Sequence, residues 1–226
     1  REVCRRGALS PDNTFFIDRE ICDLCFACVD ACPSGALDRV GKRMSLSEIL
    51  ERVLPDKPFY DTSGGGVTLS GGEPTLYPGF VSRLLITLKE LGIRTLIETC
   101  GHFDPDGFME SLYPHVDLIY FDIKLMDRTA HKAYCGRTNE RILDNFKLLA
   151  EASRKDGKHL LARTPLIPGI TDTPENVLAI ARFLKELGIK EASLLPYNPL
   201  WHEKSAKVGA VNPYRSDKAM TAFSDR

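Results

Sequence analysis

The sequence predicts an α/β protein: a parallel sheet with crossover helices, open or curved into a barrel, behind a small cysteine-rich N-terminal domain. Three observations predict it. From Ser45 onward, five strand-like segments alternate with amphipathic helical ones, the signature of successive βα units. Four of the seven cysteines, Cys22, Cys25, Cys28 and Cys32, crowd into one short run. The chain of 226 residues is 43% hydrophobic and 27% charged, the balance of a globular protein with one large domain or a medium domain and an appendage. The boundary is expected near residue 44, giving domains 1–44 and 45–226.

Each element has a local reason. Ser45 and Glu48 form a capping box for a helix using Leu46, Ile49, Leu50 and Val53 that stops near Pro55. Val67–Leu69 reads as a strand before a glycine-rich turn. Phe80, Leu84, Leu85, Leu88 and Leu91 form a helical stripe ended by Gly92. Ile93–Glu98 is the second strand, followed by a helix around Gly107–Leu112. Asp117–Ile123 is the third, followed by helical text from Asp127 to Ala152 with a break near Gly136. His159–Pro165 is the fourth, and Thr173 and Pro174 suit the N-cap and first position of the helix carrying Val177, Ile180, Ala181, Leu184 and Leu187. Ala192–Pro196 is the fifth. After Tyr197 the text loses periodicity.

Charge and hydropathy exclude some partners. A net charge of −1 argues against binding nucleic acid through its backbone. No apolar run is long enough to cross a bilayer, so neither a membrane nor nucleic acid is an expected partner. An odd number of clustered cysteines fits metal-ligating thiolates in a reducing cytoplasm better than a disulfide framework.

Cys22-x2-Cys25-x2-Cys28-x3-Cys32-Pro33 has the spacing of a bacterial-type [4Fe–4S] ferredoxin loop. In two-cluster ferredoxins the fourth cysteine of each run ligates the other cluster. Cys4 is followed by Gly7-Ala8-Leu9 as Cys32 is by Gly35-Ala36-Leu37, so Cys4 reads as the end of another run. Cys4, Cys22, Cys25 and Cys28 would hold one cluster, with Cys32 serving a second. A zinc site or buried free thiols are the alternatives, although zinc pairs usually leave a longer gap. Arg5 departs from the proline expected after Cys4.

In parallel α/β folds ligands sit at the C-terminal ends of the strands. Ser63-Gly64-Gly65-Gly66-Val67-Thr68-Leu69-Ser70-Gly71-Gly72-Glu73-Pro74 surrounds the first strand. It lacks the Gly-Lys-Ser/Thr of a P-loop, and Glu73 would repel phosphate but suit an ammonium group. A tight structural turn with a solvated glutamate is the plain alternative. Asp122 and Lys124, two apart, share a face and together suit a zwitterionic ligand; a surface ion pair is the plain alternative. Glu98-Thr99, Arg163 and Asn198 mark other strand ends.

These residues carry a resemblance. Residues 63–74, Asp122-Ile123-Lys124-Leu125-Met126, Pro165-Leu166-Ile167-Pro168-Gly169 and Leu194-Leu195-Pro196-Tyr197 resemble, in order, the glycyl-radical-enzyme activating enzymes of the radical S-adenosylmethionine superfamily. The N-terminal segment is similar to that of the subgroup with an inserted ferredoxin-like domain. The resemblance implies a partial (β/α)6 TIM-like barrel and reductive cleavage of S-adenosylmethionine to generate a glycyl radical on a partner glycyl radical enzyme. A flavodoxin or ferredoxin would donate electrons. By the same resemblance Gly71, Gly72 and Glu73 would cradle the methionine amino group, and Asp122, Ile123 and Lys124 would position the cofactor. Glu98 and Thr99 align with ligands of a monovalent cation, and Asn198 stands where many members place a histidine near the adenosine.

One departure matters. The family's radical cluster is held by a Cys-x3-Cys-x2-Cys loop, and this sequence has none; Cys100 and Cys135 have the wrong neighbours. The loop and the first barrel strand are expected upstream of Arg1, in a chain truncated at its N-terminus and inactive as a fragment. Competing expectations are an electron-transfer iron–sulfur module on a barrel that binds S-adenosylmethionine, and a radical enzyme acting on a small molecule.

Overall fold

The computed structural model describes residues 2–13, 15–198, 205 and 207–209. These divide into two compact units, one from the described residues of 1–44 and 198–226, the other Ser45–Tyr197. Residues from 198 on therefore group with the cysteine segment. Most of the aperiodic tail read after Tyr197 lies outside the described residues.

The larger unit opens with α2 (Leu46–Val53), numbered after a short helix of the smaller unit. Ser45 Oγ accepts from Glu48 N–H and Glu48 Oε2 from Ser45 N–H, a complete capping box. Beyond it the chain differs from expectation: Pro55 sits in a 3-10 turn, Leu54–Asp56, and α3 (Lys57–Ser63) follows with Pro58 in its first turn. Proline there removes only amides that have no intrahelical partner, so it starts a helix as readily as it stops one.

Then come β1 (Gly66–Leu69), α4 (Pro78–Glu90), β2 (Arg94–Thr99), α5 (Pro105–Ser111), β3 (Leu118–Asp122), α6 (Arg128–Cys135), α7 (Glu140–Asp156), β4 (His159–Pro165), α8 (Pro174–Glu186) and β5 (Ala192–Leu195). Asp104, Asp127 and Thr173 cap α5, α6 and α8 through N–H groups of Gly107, Ala130 and Asn176. Gly136 at φ 77 ends α6, dividing the long helical text in two.

The five strands pair in parallel in sequential order, β1 to β5. Right-handed crossovers between consecutive neighbours place the crossover helices on the same face of the sheet. The burial pattern agrees. Ile97, Ile119, Phe121, Leu160 and Ala162 join Leu85 and Leu88 of α4, Phe108 of α5, Phe146 and Leu149 of α7 and Leu184 of α8 in one core. Phe121 meets Phe146 edge to face at 5.1 Å between ring centroids. The alternate residues Glu98, Tyr120, Asp122, Leu161 and Arg163 turn to the opposite face and stay partly exposed. Among the described residues the sheet has five parallel strands, where the resemblance implies six in a partial barrel.

Among its described residues up to Met44, the smaller unit has little regular structure. It contains one antiparallel bridge, Leu9 to Ile17, and a one-turn helix, α1 (Ala27–Asp30). Its buried apolar residues within 2–44 are Ala8 and Leu9. No helix among the described residues is long and apolar enough to cross a membrane.

Candidate functional site

At the C-terminal ends of β1 to β4 the larger unit carries a cavity of about 350 Å³ lined by Ser70, Gly71, Gly72, Glu73, Glu98, Thr99, Cys100, Asp122, Lys124 and Arg163. Sequence position at strand ends locates most of these groups. Sheet pairing determines which of them meet.

The turn after β1 is pinned by Glu73. Its Oε1 accepts from Thr75 N–H (3.3 Å), Thr75 Oγ1 (2.8 Å) and Thr99 Oγ1 (2.8 Å), and its Oε2 accepts from the N–H of Cys100 (2.7 Å). Burial disfavours the charge, but the hydrogen bonds from Cys100, Thr75 and Thr99 outweigh it and hold the carboxyl below the usual range. A carboxylate offers about four acceptor sites. With its acceptor sites largely used by the protein, Glu73 is chiefly a brace between the glycine turn and the end of β2. Burial and the Glu73 charge push the Cys100 thiol up.

Gly71 has φ 119, a conformation that requires glycine. At Gly72 no backbone strain applies, and an added Cβ would meet no protein atom within 4 Å. The protein's own packing leaves space beside Gly72 that a ligand can fill.

The charged floor comes from three neighbouring strands. Asp122 is in register with Arg163 and Glu98 with Tyr120, so Glu98, Asp122 and Arg163 meet on the exposed face. Arg163 Nη1 donates to Glu98 Oε1 (2.6 Å), while its Nε and Nη2 donate to Asp122 Oδ1 (3.1 and 3.0 Å). The guanidinium lies 5.3 Å from the Tyr120 ring centroid, a cation–π contact. Ser70 Oγ donates to Glu98 Oε2 (2.6 Å), and Lys124 Nζ lies 3.6 Å from Asp122 Oδ2. Burial opposes ionisation of Glu98, but Ser70 and Arg163 together lower its pKa.

The turn Asp122-Ile123-Lys124 is held from below. Ile123 is buried, its N–H donates to Arg163 O (2.9 Å), and its carbonyl accepts from Thr164 Oγ1 (2.8 Å). Asn176 Nδ2 donates to Lys124 O (2.9 Å) and Thr171 O (2.9 Å), while its Oδ1 accepts from Met126 N–H (2.9 Å). Asn139 Nδ2 donates to Leu125 O and Met126 O. Ile123 thus acts through the backbone. Neither Asn139 nor Asn176 stands out in the sequence: each lies at a helix start, and only the fold brings both to one turn. Arg163 was noted as a strand-end residue, without its partners.

Asn198 is exposed and belongs to the other unit. In that unit the cysteines are free thiols, and no group of three or more His, Cys, Asp or Glu among the described residues is gathered as for a metal ion. Cys4 and Cys32 nevertheless share a local geometry. Gly7 (φ 67) donates to Cys4 O and Gly35 (φ 66) to Cys32 O, at 3.1 and 3.3 Å. Backbone N–H groups lower both thiol pKa values, with Ala8 first at Cys4 and Leu37 first at Cys32, where the value falls to about 7.

Comparison with known proteins follows the same lines. The Radical SAM superfamily model matches residues 21–184. The isethionate sulfite-lyase activating enzyme of Oleidesulfovibrio alaskensis is 40% identical over 206 residues, covering 90% of this chain and 65% of the relative. The 4-hydroxyphenylacetate decarboxylase activating enzyme of Clostridioides difficile is 36% identical over 219 residues, covering 95% and 68%. A solved domain of pyruvate-formate lyase-activating enzyme from Bacteroides vulgatus superposes with a TM-score of 0.53 at 29% identity, over 64% of this chain and 93% of that one. The chain thus spans about two thirds of the length of these curated relatives.

Proposed function

Because this chain belongs to the radical SAM superfamily, among the activating enzymes of glycyl radical enzymes, we propose that its strand-end cavity binds S-adenosylmethionine for radical generation on a partner glycyl radical enzyme. Membership implies a [4Fe–4S] cluster and S-adenosylmethionine. The cavity suits the latter on chemical grounds. Its lining carries Glu73, Glu98 and Asp122 against Lys124 and Arg163, a net charge of −1. S-adenosylmethionine carries an ammonium, a sulfonium and a carboxylate, a net charge of +1. That complementarity, next to the space at Gly72, is the observation that carries the reading.

Under this reading the carbonyls at Gly71 and Gly72 accept from the ammonium, with the Glu73 charge beside it. Lys124, whose Asp122 contact at 3.6 Å is loose, turns its charge to the carboxylate. Asp122 and Ile123 fix the turn that presents Lys124, and Asn198 lies beyond the fifth strand as a candidate for the adenosine end. When bound, the cofactor supplies a 5′-deoxyadenosyl radical for hydrogen abstraction from a backbone glycine. No Cys-x3-Cys-x2-Cys stands in these 226 residues, so the three-thiolate loop of the radical cluster is not among them.

Cys4, Cys22, Cys25 and Cys28 are the proposed ligands of one auxiliary [4Fe–4S] cluster, with Cys32 serving a second in a ferredoxin-like domain. The spacing and the matched loops at Cys4 and Cys32 support this. A flavodoxin or ferredoxin is the proposed donor. The relatives' names favour an activase over a simple electron-transfer module or a small-molecule enzyme.

Gly72→Val tests the cofactor site. An added Cβ meets no protein atom within 4 Å, so the melting temperature is expected to hold while calorimetry shows S-adenosylmethionine affinity falling about tenfold or more. Unchanged affinity in a folded variant refutes the reading.

A further inference from the structure

Glu98 and Asp122 sit on adjacent strands, on one face, with side chains 26% and 21% exposed. Two carboxylates so placed repel each other and need positive charge between them. Arg163 supplies it from β4. With its side chain 13% exposed, it spans both groups through Nη1, Nε and Nη2, with the Tyr120 ring against its guanidinium.

The other carboxylate oxygens are also engaged. Glu98 Oε2 accepts from Ser70 Oγ, and Asp122 Oδ2 faces Lys124 Nζ. Thr99 Oγ1 donates to Glu73 Oε1 and accepts from Gly101 N–H. Oε1 of Glu98 and Oδ1 of Asp122 are thus already bound to a guanidinium, and a monovalent ion between these carboxylates would face its positive charge, so the donor set does not fit a free ion.

We propose that Arg163 is the built-in counter-cation of the cavity, fixed between Glu98 and Asp122 where a free potassium or sodium ion would otherwise be recruited. A guanidinium stays protonated at all relevant pH and presents its donors in a rigid fork, so the position is filled whatever the salt. Replacing it with a neutral residue leaves three carboxylates against Lys124 alone, and a net charge of −2 that draws in a monovalent cation.

Thallium(I) NMR on the full chain, without S-adenosylmethionine, reads cation uptake directly. Wild type is expected to show no saturable uptake, whereas Arg163→Gln shows saturable uptake that potassium competes away. Saturable, potassium-displaced uptake by wild type overturns the proposal, as does a folded Arg163→Gln chain that takes up none. If Arg163→Gln is unfolded in N-methylglucamine chloride, potassium or millimolar guanidinium must restore its melting transition; failure of both overturns the proposal.

A second readout rests on the S-adenosylmethionine reading. Calorimetric affinity of wild type is expected to agree within about twofold between potassium and N-methylglucamine chloride, while Arg163→Gln weakens about tenfold in the latter and recovers in potassium. A wild type that depends on potassium defeats the Arg163 role. A wild type that binds no S-adenosylmethionine in either salt defeats the cofactor reading and leaves the thallium result to decide Arg163.

Discussion

The sheet unit and the cysteine segment hold their shapes by different means. Between Gly66 and Leu195 each central strand buries every second side chain in one core, and the turns that form the cavity are fixed by hydrogen bonds from buried groups such as Asn145 and Asn176. In residues 2–44, burial of apolar side chains stops at Ala8 and Leu9, while Val3, Ile21, Leu24 and Val40 are exposed. All three non-glycine residues with positive φ among the described residues, Phe16, Leu24 and Phe26, lie in this segment. Each such residue costs about 1–2 kcal/mol. Leu24 and Phe26 flank Cys25, so the strain is concentrated at the proposed cluster loop. A segment that strains its backbone and buries little needs another source of stability, and metal–thiolate bonds can supply it.

Iron removal is the strongest way to break that contrast. Chelation of an anaerobically reconstituted chain is expected to abolish hydrogen-exchange protection across residues 2–44. The melting temperature of the sheet unit should move by less than about 3 °C, or under about 1 kcal/mol. Retained protection in the iron-free segment would show that it folds without a cluster.

The converse change is Gly101→Ala. The position has φ 79, and an added Cβ falls 2.0 Å from the Phe121 ring. The sheet unit is expected to lose about 3 kcal/mol or more in denaturant unfolding, because the clash is with a buried ring that has nowhere to go. Iron content of the cysteine segment should be unchanged.

Asn176→Ala is a smaller perturbation of the same unit. It removes the acceptor for Met126 N–H and the donors to Lys124 O and Thr171 O, and about 2–3 kcal/mol of stability is expected to go with them. Loss of S-adenosylmethionine affinity should accompany it, since the turn that carries Lys124 is released. A folded variant with wild-type affinity would separate the asparagine from the site.

The same contrast explains what was legible in the amino-acid sequence. Period-two burial made β2, β3 and β4 readable to within a residue or two, and Ser45, Glu48, Thr173 and Pro174 announced their helices through cap chemistry. The helix Lys57–Ser63 was hidden because Pro55 and Pro58 look like stops when read without their neighbours. Strand-end position identified Glu98, Asp122 and Lys124. The partnership of Arg163 with two carboxylates depends on strand register, which local pattern does not encode. Asn139 and Asn176 were invisible for the same reason. Glu73 appeared as a ligand group, whereas the structure uses most of its acceptor capacity on Thr75, Thr99 and Cys100. Cysteine spacing is the ground for the proposed iron–sulfur chemistry, while residues 2–44 offer no apolar pattern to read.

The most direct measurement of the central claim is an NMR titration of the isotopically labelled chain with S-adenosylmethionine, following backbone amides and the lysine side chains. Saturable shifts are expected at Gly71, Gly72, Cys100 and Lys124, the groups around the strand-end cavity. Saturable binding whose shifts leave those residues untouched, or no binding at all, would contradict it.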